Sequence, residues 1–95
     1  MKVTVRYFAV LREIINSREE TLEVDENTTV LGLLDVLAAR HGSRFVDYVF
    51  DPMTGSPRTY LQFLLDGESV AGLKGLSTVL TDQCILAIVP PVGGG

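Results

Sequence analysis

Residues Cys84 to Val89, read as CILAIV, are apolar without interruption. A run this short and this apolar reads as a central strand of a sheet, buried on both faces. Pro90 and Pro91 follow at once. Neither can donate a hydrogen bond to a sheet ladder, so the strand must stop there. A central strand needs neighbours on both sides, and the preceding residues have to supply them.

The first neighbour is plain in KVTVRYF, where Val3, Val5 and Tyr7 share one face and Lys2, Thr4 and Arg6 the other. That alternation is the period of a half-buried strand. Phe8 falls on the polar side, where an aromatic is either covered by a later segment or left as part of an interaction surface. AVLREIINSREE predicts a short helical turn and a loop, after which TLEVD alternates again with Leu22 and Val24 inward. Two strands joined this closely pair antiparallel. The acidic run SREETLEVDE is expected to be a solvated hairpin.

Asn27, Thr28 or Thr29 can cap the helix that follows by accepting hydrogen bonds from its free amides. Val30, Leu33, Leu34, Leu37 and Ala38 recur at helical spacing on one face, and Gly42 stands where a left-handed C-terminal cap is wanted. The apolar stripe needs a surface, and the flanking strands supply a sheet for the helix to cross. His41 falls in the last helical turn, where a capping or solvent-facing role is expected. RFVDYVFDPMTGSPRTY predicts a helical turn around Phe45 to Phe50 and then an irregular loop. LQFLLDGESV returns to strand character with Asp66-Gly67 as a hairpin turn, and AGLKGLSTVLTD is glycine-punctuated loop. The order of elements is α+β: a ubiquitin-like β-grasp fold, with a mixed sheet of four to five strands crossed by one main helix over residues 1–91. Residues 92–95 are expected to be a flexible tail ending in Gly-Gly.

At 95 residues the chain fits one compact core and is too short for two. Its net charge of -4 disfavours sequence-independent binding to nucleic acid and points to partners with basic surfaces. The lone cysteine, Cys84, cannot form an intrachain disulfide, and Arg6 interrupts what would have to be the apolar part of a signal peptide. No apolar run is long enough to suggest a membrane span. A cytoplasmic protein without membrane or nucleic-acid partners is expected.

The sequence has no CxxC pair, no HExxH, no phosphate-binding GxxxxGK[ST] loop and no nearby Ser, His and Asp set. No metal site and no bound cofactor are expected, and Cys84, at the head of an apolar strand, reads as a buried inert thiol. The domain supplies little catalytic equipment of its own. A β-grasp domain whose last strand runs into a Gly-Gly ending resembles ubiquitin-like carriers, and that resemblance implies that the reactive group is the C-terminal carboxylate of Gly95, a poor electrophile until it is activated. Gly94 and Gly95, preceded in the tail by Gly93, would then offer a backbone without side chains that can thread a narrow adenylation cleft. Pro90 and Pro91 stiffen its exit from the fold and lower the entropy lost on capture.

The ending VPPVGGG resembles the PPV-x-GG ending of the MoaD/ThiS family of ubiquitin-like sulfur carriers, with Gly93 in the variable position and Gly94-Gly95 as the diglycine. YFAVLREI is similar to the family's segment after the first strand, TTVLGLLDVLAARHG to its helix, and GLSTVLTD to its approach to the last strand. The resemblance covers essentially the whole chain. It implies that an E1-like enzyme, using ATP and Mg, adenylates Gly95, and that sulfur transfer then makes a thiocarboxylate. That thiocarboxylate would donate sulfur in molybdopterin synthesis, within a complex with a MoaE-like large subunit that carries the catalysis. The same resemblance implies a partner-binding surface made of Phe8, Val89, Pro90, Pro91 and Val92. Two features depart from the family pattern. TDQCIL replaces its usual acidic turn, and the insertion FDPMTGSPRTYLQFLLDGESV resembles CysO-like carriers, whose partner is a cysteine synthase, and archaeal protein modifiers that form isopeptide bonds.

Overall fold

In the computed structural model, residues 1–91 are described. The tail expected over residues 92–95 lies outside the described residues.

Chain order is β1 (Lys2–Tyr7), α1 (Ala9–Ile15), β2 (Glu19–Glu23), α2 (Val30–His41), α3 (Ser43–Val49), β3 (Gln62–Leu65), β4 (Glu68–Ser69) and β5 (Cys84–Val89). Two 3-10 turns, Val70–Gly72 and Gly75–Ser77, lie between β4 and β5. The strands form one sheet in the order β2-β1-β5-β3-β4. β5 therefore sits in the middle, parallel to β1 with Val3 opposite Cys84 and Tyr7 opposite Ile88. On its other side it runs antiparallel to β3, with Gln62 opposite Val89 and Leu65 opposite Leu86. This is the ubiquitin-like β-grasp arrangement, with five strands.

The alternation read from β1 holds. Val3, Val5 and Tyr7 are buried, and so are Val30, Leu33, Leu34 and Leu37 of α2. Together with Leu22, Phe63, Leu86 and Ile88 they make one core between the helix layer and one face of the sheet. α2 begins at Thr29, whose Oγ1 accepts the Gly32 amide at 3.1 Å. Gly42 ends it at φ 82 and ψ -157. This is not the left-handed cap expected from sequence but a conformation essentially restricted to glycine. The reason is the turn that follows: the Gly42 amide donates to the Ala38 carbonyl, and its own carbonyl accepts from Val46, so one residue closes α2 and opens α3.

The hairpin turn falls where the sequence puts it. Asp66 and Gly67 have φ 50 and 87, both positive as a two-residue hairpin turn of this kind needs. The Asp66 carboxylate also accepts the Ile85 amide at 2.9 Å, tying the turn to the start of β5. α1 is longer than the single turn expected, and Asn16 at φ 63 closes it.

One expectation is corrected. β5 is central, but it is buried on one face only: Cys84, Leu86 and Ile88 are buried while Ile85, Ala87 and Val89 are half-exposed. Among the described residues no element covers the second face of the sheet. An uninterrupted apolar run thus marks a central strand here without marking two covered faces. Cys84 is buried as expected, and burial pushes its thiol above the usual range.

Leu34 is fully buried between α2 and the sheet. Leu34→Ala should cost about 2–5 kcal/mol of unfolding free energy through lost burial and a residual cavity. Denaturant unfolding checks this, and a wild-type midpoint would contradict the packing described.

Candidate functional site

Two registers, one parallel and one antiparallel, bring the expected partner-binding residues to one end of the sheet. Tyr7 is opposite Ile88, so Phe8 and Val89 are the next residues along two neighbouring strands, and Gln62 pairs with Val89 from the other side. All three continue the alternation that faces away from α2. Below them on the same face lie Arg6, Ala87 and Leu64, and then Thr4 and Ile85. The result is a half-exposed apolar strip of Leu64, Ile85, Ala87 and Val89 down the middle of the open face, bordered by polar strands.

Phe8 itself is half-buried and extended, at φ -133 and ψ 151, just before α1. The Arg12 guanidinium, one turn into that helix, stands 5.9 Å from the centre of its ring, a cation–π arrangement. Pro90 is half-buried and Pro91 exposed, and together they carry the chain past the end of the ladder. Phe8, Val89, Pro90 and Pro91 are thus brought together. Val92, Gly93, Gly94 and the candidate reactive group, Gly95, lie outside the described residues.

A second constellation, missed in the sequence, fixes the same end of the sheet. Glu20 was expected to be solvated, yet its side chain is only 16% exposed. Its Oε1 accepts hydrogen bonds from the Tyr7 hydroxyl and from His41 Nε2, both at 2.5 Å, and its Oε2 pairs with Arg40 Nε at 3.2 Å. His41 therefore neither caps α2 nor faces solvent: it stands edge-on to Tyr7 and reaches β2. The carboxylate joins β1, β2 and the last turn of α2. Burial alone would raise the pKa of Glu20, but the hydrogen bonds from Tyr7 and His41 and the charges of His41 and Arg40 outweigh it and hold the group below its usual range. Burial, and then the bond to Glu20, push the Tyr7 phenol well above its usual range.

The signal for this cluster was present in the alternation. Glu20 is two residues before Leu22 and so shares its inward face, and a buried tyrosine needs a partner for its hydroxyl. The sequence could not show that the partner came from a strand thirteen residues later and a helix farther still.

Among the described residues no group of three His, Cys, Asp or Glu side chains could hold a metal ion. No helix there is long and apolar enough to cross a membrane.

The model of the ThiS family matches residues 5–95. Small archaeal modifier protein 3 of Haloferax volcanii is 30% identical over 95 residues, covering all of both chains. The crystal structure of SAMP1 from Haloferax volcanii matches with a TM-score of 0.84 at 29% identity, again over all of both chains. A putative molybdopterin converting factor, subunit 1, from Pyrococcus furiosus matches with a TM-score of 0.76 at 26% identity, over 97% of this chain and 99% of that one.

Glu20→Gln should cost on the order of 1–3 kcal/mol at neutral pH, because it removes a buried charge partner from Arg40 and weakens the bonds to Tyr7 and His41. Since the carboxyl of Glu20 titrates lower in the folded protein, its contribution is present above the unfolded value of about 4.3 and fades as pH falls below it. Unfolding midpoints across pH should show the gap between variant and wild type shrinking toward acid. A gap that widens below pH 4 would contradict this sign.

Proposed function

Since the chain belongs to the ThiS family, of ubiquitin-like sulfur carriers, we propose that it works through the carboxylate of Gly95, activated by an E1-like adenylating partner. The observation that carries this reading is the place of β5. The strand that leads into the tail is held by the β1 ladder up to Ile88 and by the β3 ladder up to Val89, so the residues after it start from a fixed point at the edge of the fold. A partner that grips the body of the domain thereby knows where the tail begins. The side chains of the domain bind and orient, and the chemistry is the partner's.

In the activating step a Gly95 carboxylate oxygen attacks the α-phosphorus of ATP, with Mg supplied by the partner, and pyrophosphate leaves. The acyl adenylate has a good leaving group where the free carboxylate has none. Attack by a lysine amine then expels AMP and forms an isopeptide bond. Attack by a persulfide sulfur also expels AMP, and cleavage of the resulting acyl disulfide by a thiol leaves a thiocarboxylate. Gly94 and Gly95 suit both routes because a chain without Cβ atoms passes where side chains would clash.

Of the two end uses we favour protein modification, supported by full-length similarity at 30% identity to a protein named as a small archaeal modifier. Sulfur donation in molybdopterin synthesis, with a MoaE-like large subunit, is the second reading. It is favoured by the VPPV segment before the glycines and by the likeness to the Pyrococcus furiosus protein. On both readings Phe8, Val89 and the half-exposed strip beside them form the face that a partner covers, and Pro90, Pro91 and Val92 lead the tail into its cleft. The protein then acts in the cytoplasm, where ATP and the activating enzyme are available.

Incubation with ATP, the host's E1-like enzyme and a cell extract should yield proteins carrying a Gly-Gly remnant on lysine after trypsin treatment of a chain given an arginine before Gly94. Intact mass of the chain itself, with a sulfur donor added, reads the second use as one oxygen replaced by one sulfur. Remnants without the mass change favour modification, the mass change without remnants favours sulfur delivery, and neither product would overturn the proposal.

A further inference from the structure

Carboxylates predominate at one end of the strand axis and arginines line a recess at the other, although Lys2 and the N-terminal ammonium, paired with Glu23 at 3.5 Å, stand at the first end and Glu19 at the second. At the end where β5 begins stand Glu23 at the end of β2, Glu26 in the turn that follows it, Asp66 in the hairpin turn, Glu68 at the start of β4 and Asp82 just before β5. At the end where β5 finishes, Arg6, Arg12 and Arg18 come together with Phe8 around an open recess of about 330 Å³. They arrive there from three elements: Arg6 from the last turn of the β1 alternation, Arg12 from α1, and Arg18 from the loop before β2. Glu19, which also lines the recess, is already paired with Arg6 at 3.3 Å. Arg12 donates from Nε to the Tyr7 carbonyl and otherwise leans on Phe8, and Arg18 is exposed. Among the described residues neither has a carboxylate partner.

Like charges gathered at one end of an acidic chain repel one another and are stabilised when an anionic surface covers them. Their position matters as much as their sign. Phe8 is the residue beside Val89, so the recess borders the point at which the chain leaves the sheet. All three cations are arginines, whose planar forks suit carboxylates in pairs, whereas a site for bulk attraction would do as well with lysine.

We propose that this recess docks an acidic surface of the adenylating partner, a cluster of Asp and Glu side chains at the mouth of the cleft that takes the tail. The proposal rests on the reading that Gly95 is adenylated, and it reverses the expectation, drawn from net charge alone, of a basic partner surface. The acidic end of the domain points away from that partner and disfavours docking with the tail reversed.

The test is pyrophosphate exchange by the host's E1-like enzyme with the purified full chain as substrate, at several salt concentrations. Arg12→Gln with Arg18→Gln should raise KM for the chain by about tenfold at low salt, leave kcat unchanged and flatten the salt dependence. Arg18→Gln alone, at an exposed position that the fold does not use, should raise KM by about threefold. Lysine at both positions keeps the charge without the planar fork, so it should recover only part of the loss and leave KM about threefold above wild type. Glu26→Gln with Glu68→Gln, at the opposite end, should change KM by less than about twofold. An unchanged KM in both arginine variants, or an equal rise from the distal pair, would overturn the proposal. So would tight binding of a uridine hexamer at about 150 mM salt that the arginine variants abolish while exchange stays normal, since the recess would then serve a nucleic acid. Failure of the wild-type chain to support any exchange is a different result: it removes the adenylation reading itself, before any arginine is changed.

Discussion

The parallel pairing of β1 with β5 is the constraint on which the molecule depends. The first and last strands lie side by side in the middle of the sheet, and parallel neighbours cannot be joined by a tight turn. Everything between them must travel out and return. The excursion supplies α2, which buries its leucine stripe against the face that Val3, Val5, Leu86 and Ile88 present. It also supplies β3 and β4, which close the far side of β5. Folding therefore cannot finish without the last strand, and the tail is attached to the best-held part of the sheet.

Two devices sharpen the end of the molecule where that tail starts. Within the fold, the Glu20 carboxylate gathers Tyr7, Arg40 and His41, and so fastens the edge strand and the end of α2 to β1. A buried carboxylate pays a desolvation cost that only several partners can offset, and here β1 and α2 provide three of them. At the surface lie the half-exposed strip of β5 and the arginines around Phe8, the groups on which the docking proposal rests. The buried network and the proposed docking surface are thus set one residue apart, at Tyr7 and Phe8.

Periodicity made the architecture legible. The alternation of KVTVRYF, the stripe from Val30 to Ala38 and the Asp66-Gly67 turn each depend on neighbours within a few residues, and each is found as read. Two readings fell short for one reason: they turned on partners distant in sequence. CILAIV gave the central position of β5, but whether its second face is covered depends on elements the chain does not have among the described residues. Glu20 and His41 read as solvated because each was judged by its own surroundings, 21 residues apart, although their ring and carboxylate meet. Net charge is silent on placement for a related reason, since a total of -4 says nothing about the separation of Arg12 and Arg18 from Glu26 and Glu68. The roles proposed for Gly93 to Gly95 rest on likeness to a family, because a glycine run has no periodicity to read.

The central claim is that this fold serves to present one carboxylate. It is tested most directly by lengthening the chain by a single alanine after Gly95 and measuring pyrophosphate exchange with the E1-like enzyme and ATP. The added residue lies beyond the described domain, so the circular dichroism spectrum and unfolding midpoint should match wild type while exchange falls to background. Undiminished exchange by the extended chain would contradict the account, because the activated group would then not be the carboxylate of Gly95.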